Sequence, residues 1–404
     1  MAMQVLLAIG SVGALLGVMG LVKRAAAQWE WEPEVQRKLV HIATGLYAIT
    51  LPWLFPDRWP VYMLVGMSLF VLMILRTPRV ARHGLGSTLH GVERQSYGDI
   101  LLAIAVGVTF FLAGDEKVLF VLPMAVLTLA DAAAALAGSA YGKRFFAVEE
   151  GQKSVEGTVI FLMTTLLVAM CCLLLISDVP RHNVVALSLA VALFGTLIEA
   201  ESWRGLDNFF LPVGLILYLS SNLSAPLVGF VAELLFLATA IAASHVVGQR
   251  LGLRSHTIRV YVILGFLILS TSQIQNTVLP IAMLGAHALA RRTAPCAAAY
   301  PHLDLATVLA FVSVGWFALG TSTGLNASLF YQSTMAGMII IFIALVIADW
   351  ALAKRVTLLL LCGAILITSV VLLTRFNEPP VFSTDEAWLV ALVSLVCPGL
   401  SSLA

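Results

Sequence analysis

The sequence has few charged residues and few cysteines. Aspartate, glutamate, lysine and arginine make up only 11% of its 404 residues, too little charge for the surface of a soluble protein of this length. The five cysteines mostly lie in apolar runs and lack the spacing of a metal site or a disulfide framework. They are Cys171, Cys172, Cys296, Cys362 and Cys397. We therefore interpret them as small hydrophobic residues and exclude a soluble or disulfide-stapled domain.

Hydrophobic residues dominate instead. They make up 60% of the chain, and the mean hydropathy is +0.98. Apolar runs long enough to cross about 30 Å of hydrocarbon recur along the whole length. We predict an all-α fold, a polytopic integral membrane helical bundle of roughly 13–15 transmembrane segments. The spans are predicted at roughly residues 4–22, 39–56, 60–76, 98–114, 118–138, 156–176, 184–200, 208–224, 227–247, 260–271, 277–290, 304–321, 330–350, 356–374 and 386–401.

The basic residues indicate how these spans are oriented. Lysine and arginine accumulate in cytoplasmic loops, and with this threading most of those in the first half fall on one side. That side carries Lys23, Arg24, Arg37, Lys38, Arg76, Arg79, Arg82, Arg94, Lys143, Arg144, Lys153 and Arg204, against Arg58, Lys117 and Arg181 on the other. We predict that the first side is cytoplasmic and that the N-terminus lies outside. Residues 5–22 are expected to be an uncleaved span and not a signal peptide, since basic residues follow them and do not precede them.

The polar motifs lie in the first half of the chain. We therefore predict two domains, residues 1–225 with the chemistry and residues 226–404 as an additional multi-pass membrane region of unknown role. Two short apolar segments between residues 260 and 290 are either two crossings or a re-entrant pair buried in protein.

Five polar groups are predicted to reach the cytoplasmic face. The first is Arg37, Lys38 and His41, where residues 37 and 41 share one helical face; it could also be ordinary basic flanking. The second runs from Glu93 and Arg94 to Asp99, and its acids could simply cap or stabilise a helix start.

The third group is the most informative. Asp131 lies inside a predicted span, where an unpaired carboxylate costs several kcal/mol, so it needs Mg²⁺ or a lysine nearby. Gly138 and Gly142 permit close approach of a phosphate or of a neighbouring helix. These features predict a binding site for a cation and a phosphate.

A basic loop completes this third group. Lys143, Arg144 and Lys153 offer positive charge to phosphate oxygens, while Ser154 and the amides after it, up to Gly157, form a helix start that favours anions. Glu156 is interpreted as a metal ligand, a general base or a partner of Lys153.

The fourth and fifth groups are Glu199 with Glu201 and Asp207 with Asn208. Asp207 and Asn208 either cap the next helix or complete a metal site with Asp131, because hard cations take carboxylate and amide oxygens.

Taken in order, these motifs resemble the phytol kinase and dolichol kinase family over roughly residues 35–225. The resemblance implies a multi-pass membrane kinase that phosphorylates a lipid alcohol such as phytol, polyprenol or dolichol, typically with CTP, and that is distantly similar to phosphatidate cytidylyltransferases. Asp99 stands where many relatives have glutamate, and residues 226–404 match nothing in the family.

From the resemblance we assign provisional roles. Mg²⁺ is expected at Asp131, Asp207 and Asn208, and the acceptor hydroxyl at Glu156, Glu199 or His41. CTP, the expected phosphoryl donor, is assigned to Gly138, Gly142, Lys143, Arg144, Lys153, Ser154, Gly157, Arg37, Lys38 and Arg94.

Two other functions remain open. The same ligands would serve CMP transfer to a lipid phosphate, as in a cytidylyltransferase. A transporter is less compatible, because its acids usually lie near the midplane and these gather at one surface. The expected partners are a lipid alcohol, a nucleotide and the bilayer, with no nucleic acid.

Overall fold

The computed structural model describes residues 1–31, 33–77, 97–148, 151–250, 252–272, 274–294, 296–323 and 327–376. Almost all of these residues are helical, which confirms the predicted all-α class. Eight of the described helices are long and apolar enough to cross a membrane, and three shorter apolar helices accompany them. The protein is therefore a polytopic membrane bundle. The predicted span 386–401 lies outside the described residues.

The chain divides into two compact units, Met1–Val231 and Ala232–Ala404. The helices that begin in the first unit are α1 Ala2–Trp29, α2 Pro33–Leu54, α3 Trp59–Leu75, α4 Gly98–Ala113, α5 Lys117–Ala125, α6 Asp131–Tyr141, α7 Val155–Ile176, α8 Arg181–Glu201, α9 Asp207–Asn222 and α10 Leu227–Arg250. A π-helical segment, Val126–Ala130, joins α5 to α6, so that the two helices form one continuous rod.

The second unit continues with α11 Ser255–Thr271, α12 Val278–Thr293, α13 Pro301–Thr323, α14 Ser328–Val346 and α15 Leu352–Arg375. A short 3₁₀ turn, Ile274–Thr277, joins α11 to α12. These two helices have 17 and 16 residues, fewer than the roughly 20 of an upright crossing. Both alternatives for the predicted segments 260–271 and 277–290 are compatible with those lengths.

Helix α5 and the π segment form the core of the first unit. Every residue from Val118 to Ala125 is buried, and α5 contacts α2, α4, α7 and α9. A helix that is hydrophobic all round must be covered on all sides, and here other helices supply the cover. By contrast, α7 has a still more apolar sequence but is mostly exposed, as expected for a helix that faces lipid.

Two local features set the geometry of this core. Pro123, which has no N–H to donate, lies three residues before the π segment, and the wider π turn follows it. Opposite this segment, a Cβ added at Gly45 would lie only 2.9 Å from the Cβ of Thr128. Glycine therefore allows α2 to approach the rod closely, one turn from His41 and about one turn from Asp131.

The basic loop of the third motif contains β structure that the sequence did not predict. Phe145–Val148 and Gly151–Ser154 form an antiparallel two-stranded hairpin, β1 and β2, in which Phe145 pairs with Ser154. The facing backbone groups of the two strands pair with each other, so this segment is held by backbone hydrogen bonds.

Candidate functional site

An ion pair joins α2 to the central rod. The Lys38 ammonium donates to Asp131 Oδ2 at 2.7 Å, and the two side chains are 23% and 13% exposed. Asp131 is the first residue after the π segment, so its direction depends on that segment. The lysine is the cation that this carboxylate needs, because an uncompensated charge at this depth would be costly.

His41 lies beside this pair, one turn along α2 from Arg37. Its Nε2 is 3.9 Å from Asp131 Oδ2, too far for a hydrogen bond. The same nitrogen is buried and makes no hydrogen bond to any residue that the structure describes. His41 also lies close enough to Asp207 to interact electrostatically. It therefore presents a buried polar atom with capacity for a further partner.

A second ion pair joins the hairpin to α8. Lys153, on β2, donates to Glu199 Oε1 at 2.7 Å and also to the Glu199 backbone carbonyl. Glu199 lies in the last turn of α8 and is only 8% exposed. Its ammonium partner is also within electrostatic range of Asp131, and Glu199 is within range of Asp207.

These contacts bring together six of the residues that the sequence singled out. We call them the charged cluster: Lys38, His41, Asp131, Lys153, Glu199 and Asp207. They come from α2, α6, β2, α8 and α9, although they are spread over most of the first unit's sequence. Three carboxylates alternate with two ammonium groups and an imidazole. Such a site can hold a polyanion on its amines and a metal ion on its carboxylates.

A tightly packed junction of α6, the hairpin and α7 lies next to the cluster. Ser154 caps α7 by accepting the Gly157 N–H at 3.0 Å. A Cβ at Gly138 or at Gly157 would lie 2.8 Å from Ser154 Oγ, so both glycines are required for this packing. The sequence allowed either helix packing or phosphate approach at Gly138, and the observed contacts are those of helix packing.

Glu156 stabilises the turn into the hairpin. Its Oε2 accepts the backbone N–H groups of Lys143 at 3.1 Å and Arg144 at 3.3 Å, next to Gly142 at the end of α6. Lys153 pairs with Glu199 and not with Glu156. The side chains of Lys143 and Arg144 are exposed beside this turn.

A further charged contact lies at the start of α4. Asp99 accepts a short hydrogen bond from the Arg76 guanidinium, which also lies 5.3 Å from the centre of the Tyr97 ring. The sequence allowed Asp99 either to cap its helix or to stabilise the helix start; no side chain caps α4, and Asp99 lies in its first turn. Arg76 was counted only as a flanking basic residue, and no local pattern marks its partner. Arg94 lies outside the described residues.

Asp207 and Asn208 begin α9. Asp207 Oδ1 accepts the Asn208 N–H at 3.1 Å, and Asn208 Nδ2 donates to the Gly205 carbonyl at 3.2 Å. Across the described ranges, no three histidine, cysteine, aspartate or glutamate side chains form a ready metal site. Mg²⁺ in nucleotide enzymes usually takes one or two carboxylates and completes its shell with phosphates and water. The carboxylates of Asp131 and Asp207 fit that requirement.

Comparison with known proteins agrees with the motifs. The chain is 28% identical over 220 residues to a curated phytol kinase from Synechocystis sp., an alignment that covers 53% of this chain and 91% of the relative. No protein-family model matches the chain, and no solved structure matches it. The similarity confirms the resemblance to the phytol kinase family that the ordered motifs indicated.

Proposed function

We propose that this protein is a membrane kinase that transfers the γ-phosphoryl group of CTP to the hydroxyl of a lipid alcohol such as phytol or a polyprenol, at the cytoplasmic face. The similarity to a phytol kinase supports a lipid-alcohol kinase in general. The observation that carries the proposal is the charged cluster, in which amines and carboxylates from five elements interact through two ion pairs and electrostatic contacts.

The two ion pairs describe the cluster before the nucleotide binds. Lys38 and Lys153 are paired with Asp131 and Glu199, so the charges of these four side chains compensate one another. A triphosphate competes for both ammonium groups, and its binding releases the carboxylates. The exposed side chains of Lys143 and Arg144 lie beside the hairpin, where they extend the positive surface for the outer phosphates.

The released carboxylates suit a divalent cation. Asp131 and Asp207 would hold Mg²⁺, with the Asn208 side chain beside them, and the bound metal would neutralise phosphate charge. Phosphoryl transfer needs positioning and electrostatic stabilisation more than covalent participation by the protein. Lys38 and Lys153 supply the remaining positive charge.

His41 is the best candidate for positioning the acceptor hydroxyl. Its Nε2 is buried without a hydrogen bond among the described residues, and it lies at the edge of the cluster. Glu199 is engaged by Lys153, and Glu156 holds the turn before β1. In the transfer, a bond forms between the alcohol oxygen and the γ-phosphorus and the bond from that phosphorus to the bridging oxygen breaks. CDP leaves, and the hydroxyl proton passes to His41.

The test uses the full chain in lipid nanodiscs with CTP labelled in the γ-phosphate. We expect label on the lipid only when a long-chain alcohol is present. Asp131→Ala and Lys153→Ala should abolish transfer without loss of folded protein. The matched controls are Asp115→Ala, 98% exposed and at the far end of α4, and Lys354→Ala, exposed in the second unit. Normal transfer by both cluster variants would contradict the proposal.

Product analysis separates this reaction from the alternatives. Release of pyrophosphate together with a CMP-lipid would identify a cytidylyltransferase. Nucleotide-independent uptake of a solute into proteoliposomes would identify a transporter. Either result, without labelled lipid phosphate, would replace the kinase proposal.

A further inference from the structure

An elongated cavity lies between α1, α2, α3 and α4 in the first unit. It has a volume of about 1170 Å³, counting its open mouth. Its walls are mostly aliphatic side chains from the four helices. The charged and amide groups in its lining are Arg37, His41, Asp99 and Asn208.

The cavity runs along α2. Its lining on that helix extends from Arg37 to Leu51, which at about 1.5 Å per residue corresponds to roughly 21 Å. Helix α3 runs antiparallel to α2, because Leu75 at its end shares a buried cluster with Val40 near the start of α2, and only residues 55–58 connect the two helices. The four polar groups therefore gather at one end, where α2, α4 and α9 begin.

That polar end is continuous with the charged cluster. His41 lines the cavity and is also the cluster residue whose buried Nε2 makes no hydrogen bond within the described structure. A ligand complementary to this shape has one polar group at its head and a long, slender apolar chain. A linear isoprenoid alcohol has this form, and its hydroxyl would reach His41 while its chain lies along α2.

We infer that this cavity binds the isoprenoid chain of the acceptor alcohol and that the side chains at the level of Ala48 and Ser68 determine how long a chain is accepted. The inference rests on the proposed lipid-alcohol kinase function and names the place and the length limit of its substrate.

Ala48 and Ser68 both line the cavity, at a similar distance from its polar end. Ala48 is eight residues beyond Val40 on α2, and Ser68 is seven residues before Leu75 on the antiparallel α3. Both are therefore about 10–12 Å from the contact between Val40 and Leu75. Both line the cavity with small side chains, so a larger one at either position would shorten it from its far end and leave the polar end unchanged.

Chain-length selectivity tests this inference. Wild type, Ala48→Phe and Ser68→Phe would be assayed in nanodiscs on geraniol, farnesol, geranylgeraniol and phytol. In both Phe variants we expect the ratio of kcat/KM for geranylgeraniol or phytol to kcat/KM for geraniol to fall at least about tenfold. Tenfold is the smallest change expected when a substrate no longer fits a hydrophobic pocket. Leu46→Phe is the matched control, because Leu46 is on the same helix but 47% exposed and outside the cavity lining. It should leave the ratio unchanged.

The outcomes distinguish this inference from the proposed function. If wild type phosphorylates none of the alcohols, the kinase proposal fails. If wild type is active and both Phe variants lower kcat/KM equally for all four alcohols, or for none of them, the cavity does not hold the chain.

A second measurement uses wild-type protein alone and so does not depend on the folding of a variant. A prenyl alcohol with a photoreactive group near its tail should label peptides of α1–α4. Labelling confined to the second unit would overturn the inference.

Discussion

The ion pair between Lys38 and Asp131 allows a structural role to be separated from a catalytic one. The perturbation is a double-mutant cycle of Lys38→Met, Asp131→Ala and both changes together. Each single variant leaves one charge without its partner in a region where the two side chains are 23% and 13% exposed. Breaking a fully buried pair costs about 3–5 kcal/mol.

The cost of breaking this ion pair should be lower than that of a fully buried pair in both single variants, because each remaining charge has another way to be stabilised. After Lys38→Met, Asp131 still interacts with Lys153 and His41. After Asp131→Ala, the flexible lysine stem lets the ammonium move toward the membrane surface. We therefore expect each single change to lower the free energy of unfolding by about 2 kcal/mol. The double variant removes both charges, and the coupling energy should be about 1–2 kcal/mol.

Two measurements are compared on the same four proteins. Denaturation in mixed micelles, followed by tryptophan fluorescence, gives the stability of each variant. The kinase assay with labelled CTP gives transfer activity. We expect the double variant to lose about 2–3 kcal/mol, less than the sum of the two single losses, because neither charge remains unpaired. It should recover no activity, since the carboxylate and the ammonium both act on the nucleotide.

Two results would refute this reasoning. Strictly additive stability losses would mean that the two side chains do not interact in the folded protein. A double variant with restored stability and restored transfer would mean that the pair only holds α2 against the rod, and the metal and phosphate roles of these residues would have to be withdrawn.

The remaining predictions concern packing, capping, the turn before the hairpin and the metal. Gly45→Ala should lower the free energy of unfolding by about 1–3 kcal/mol because the added Cβ meets Thr128, and Thr128→Ala should relieve part of this loss. The control is Gly66→Ala, which has open space around it and should be neutral or stabilising in the same denaturation assay. Ser154→Ala should cost about 1 kcal/mol by removing the cap of α7. Glu156→Gln keeps an acceptor oxygen and should retain transfer, whereas Glu156→Ala should not; equal loss in both would assign Glu156 to the chemistry. Chelation of Mg²⁺ should stop transfer, and added Mg²⁺ should restore it, as measured by label on the lipid.

The positions of the helices could be predicted from the sequence because hydropathy depends on runs of residues and not on their partners. The predicted span 98–114 corresponds to α4, Gly98–Ala113, and the predicted span 156–176 corresponds to α7, Val155–Ile176. The start of α7 could also be predicted, since Ser154 has the side chain of a helix cap.

Side-chain partners could not be predicted in the same way. A helix such as α5 is apolar on every face, so its sequence contains no periodic signal for its rotation against α2. The pairing of Lys38 with Asp131 depends on that rotation. The choice of Glu199 over Glu156 as the partner of Lys153 depends on how the hairpin meets α8, which the local sequence does not indicate either. The cavity along α2 was missed for the same reason, because its lining has the composition of ordinary membrane helix.

Asp131 follows the π turn at Val126–Ala130, so the direction of its side chain depends on the number of residues in the central rod before it. Each residue of an α-helix turns the chain by about 100°, so deleting a single residue from α5 would swing the carboxylate to another side of the rod. This span cannot be trimmed one residue at a time to suit a thinner bilayer. Adaptation to a different membrane thickness must come from tilting the whole bundle or from its lipid-facing helices, while the rod keeps its register.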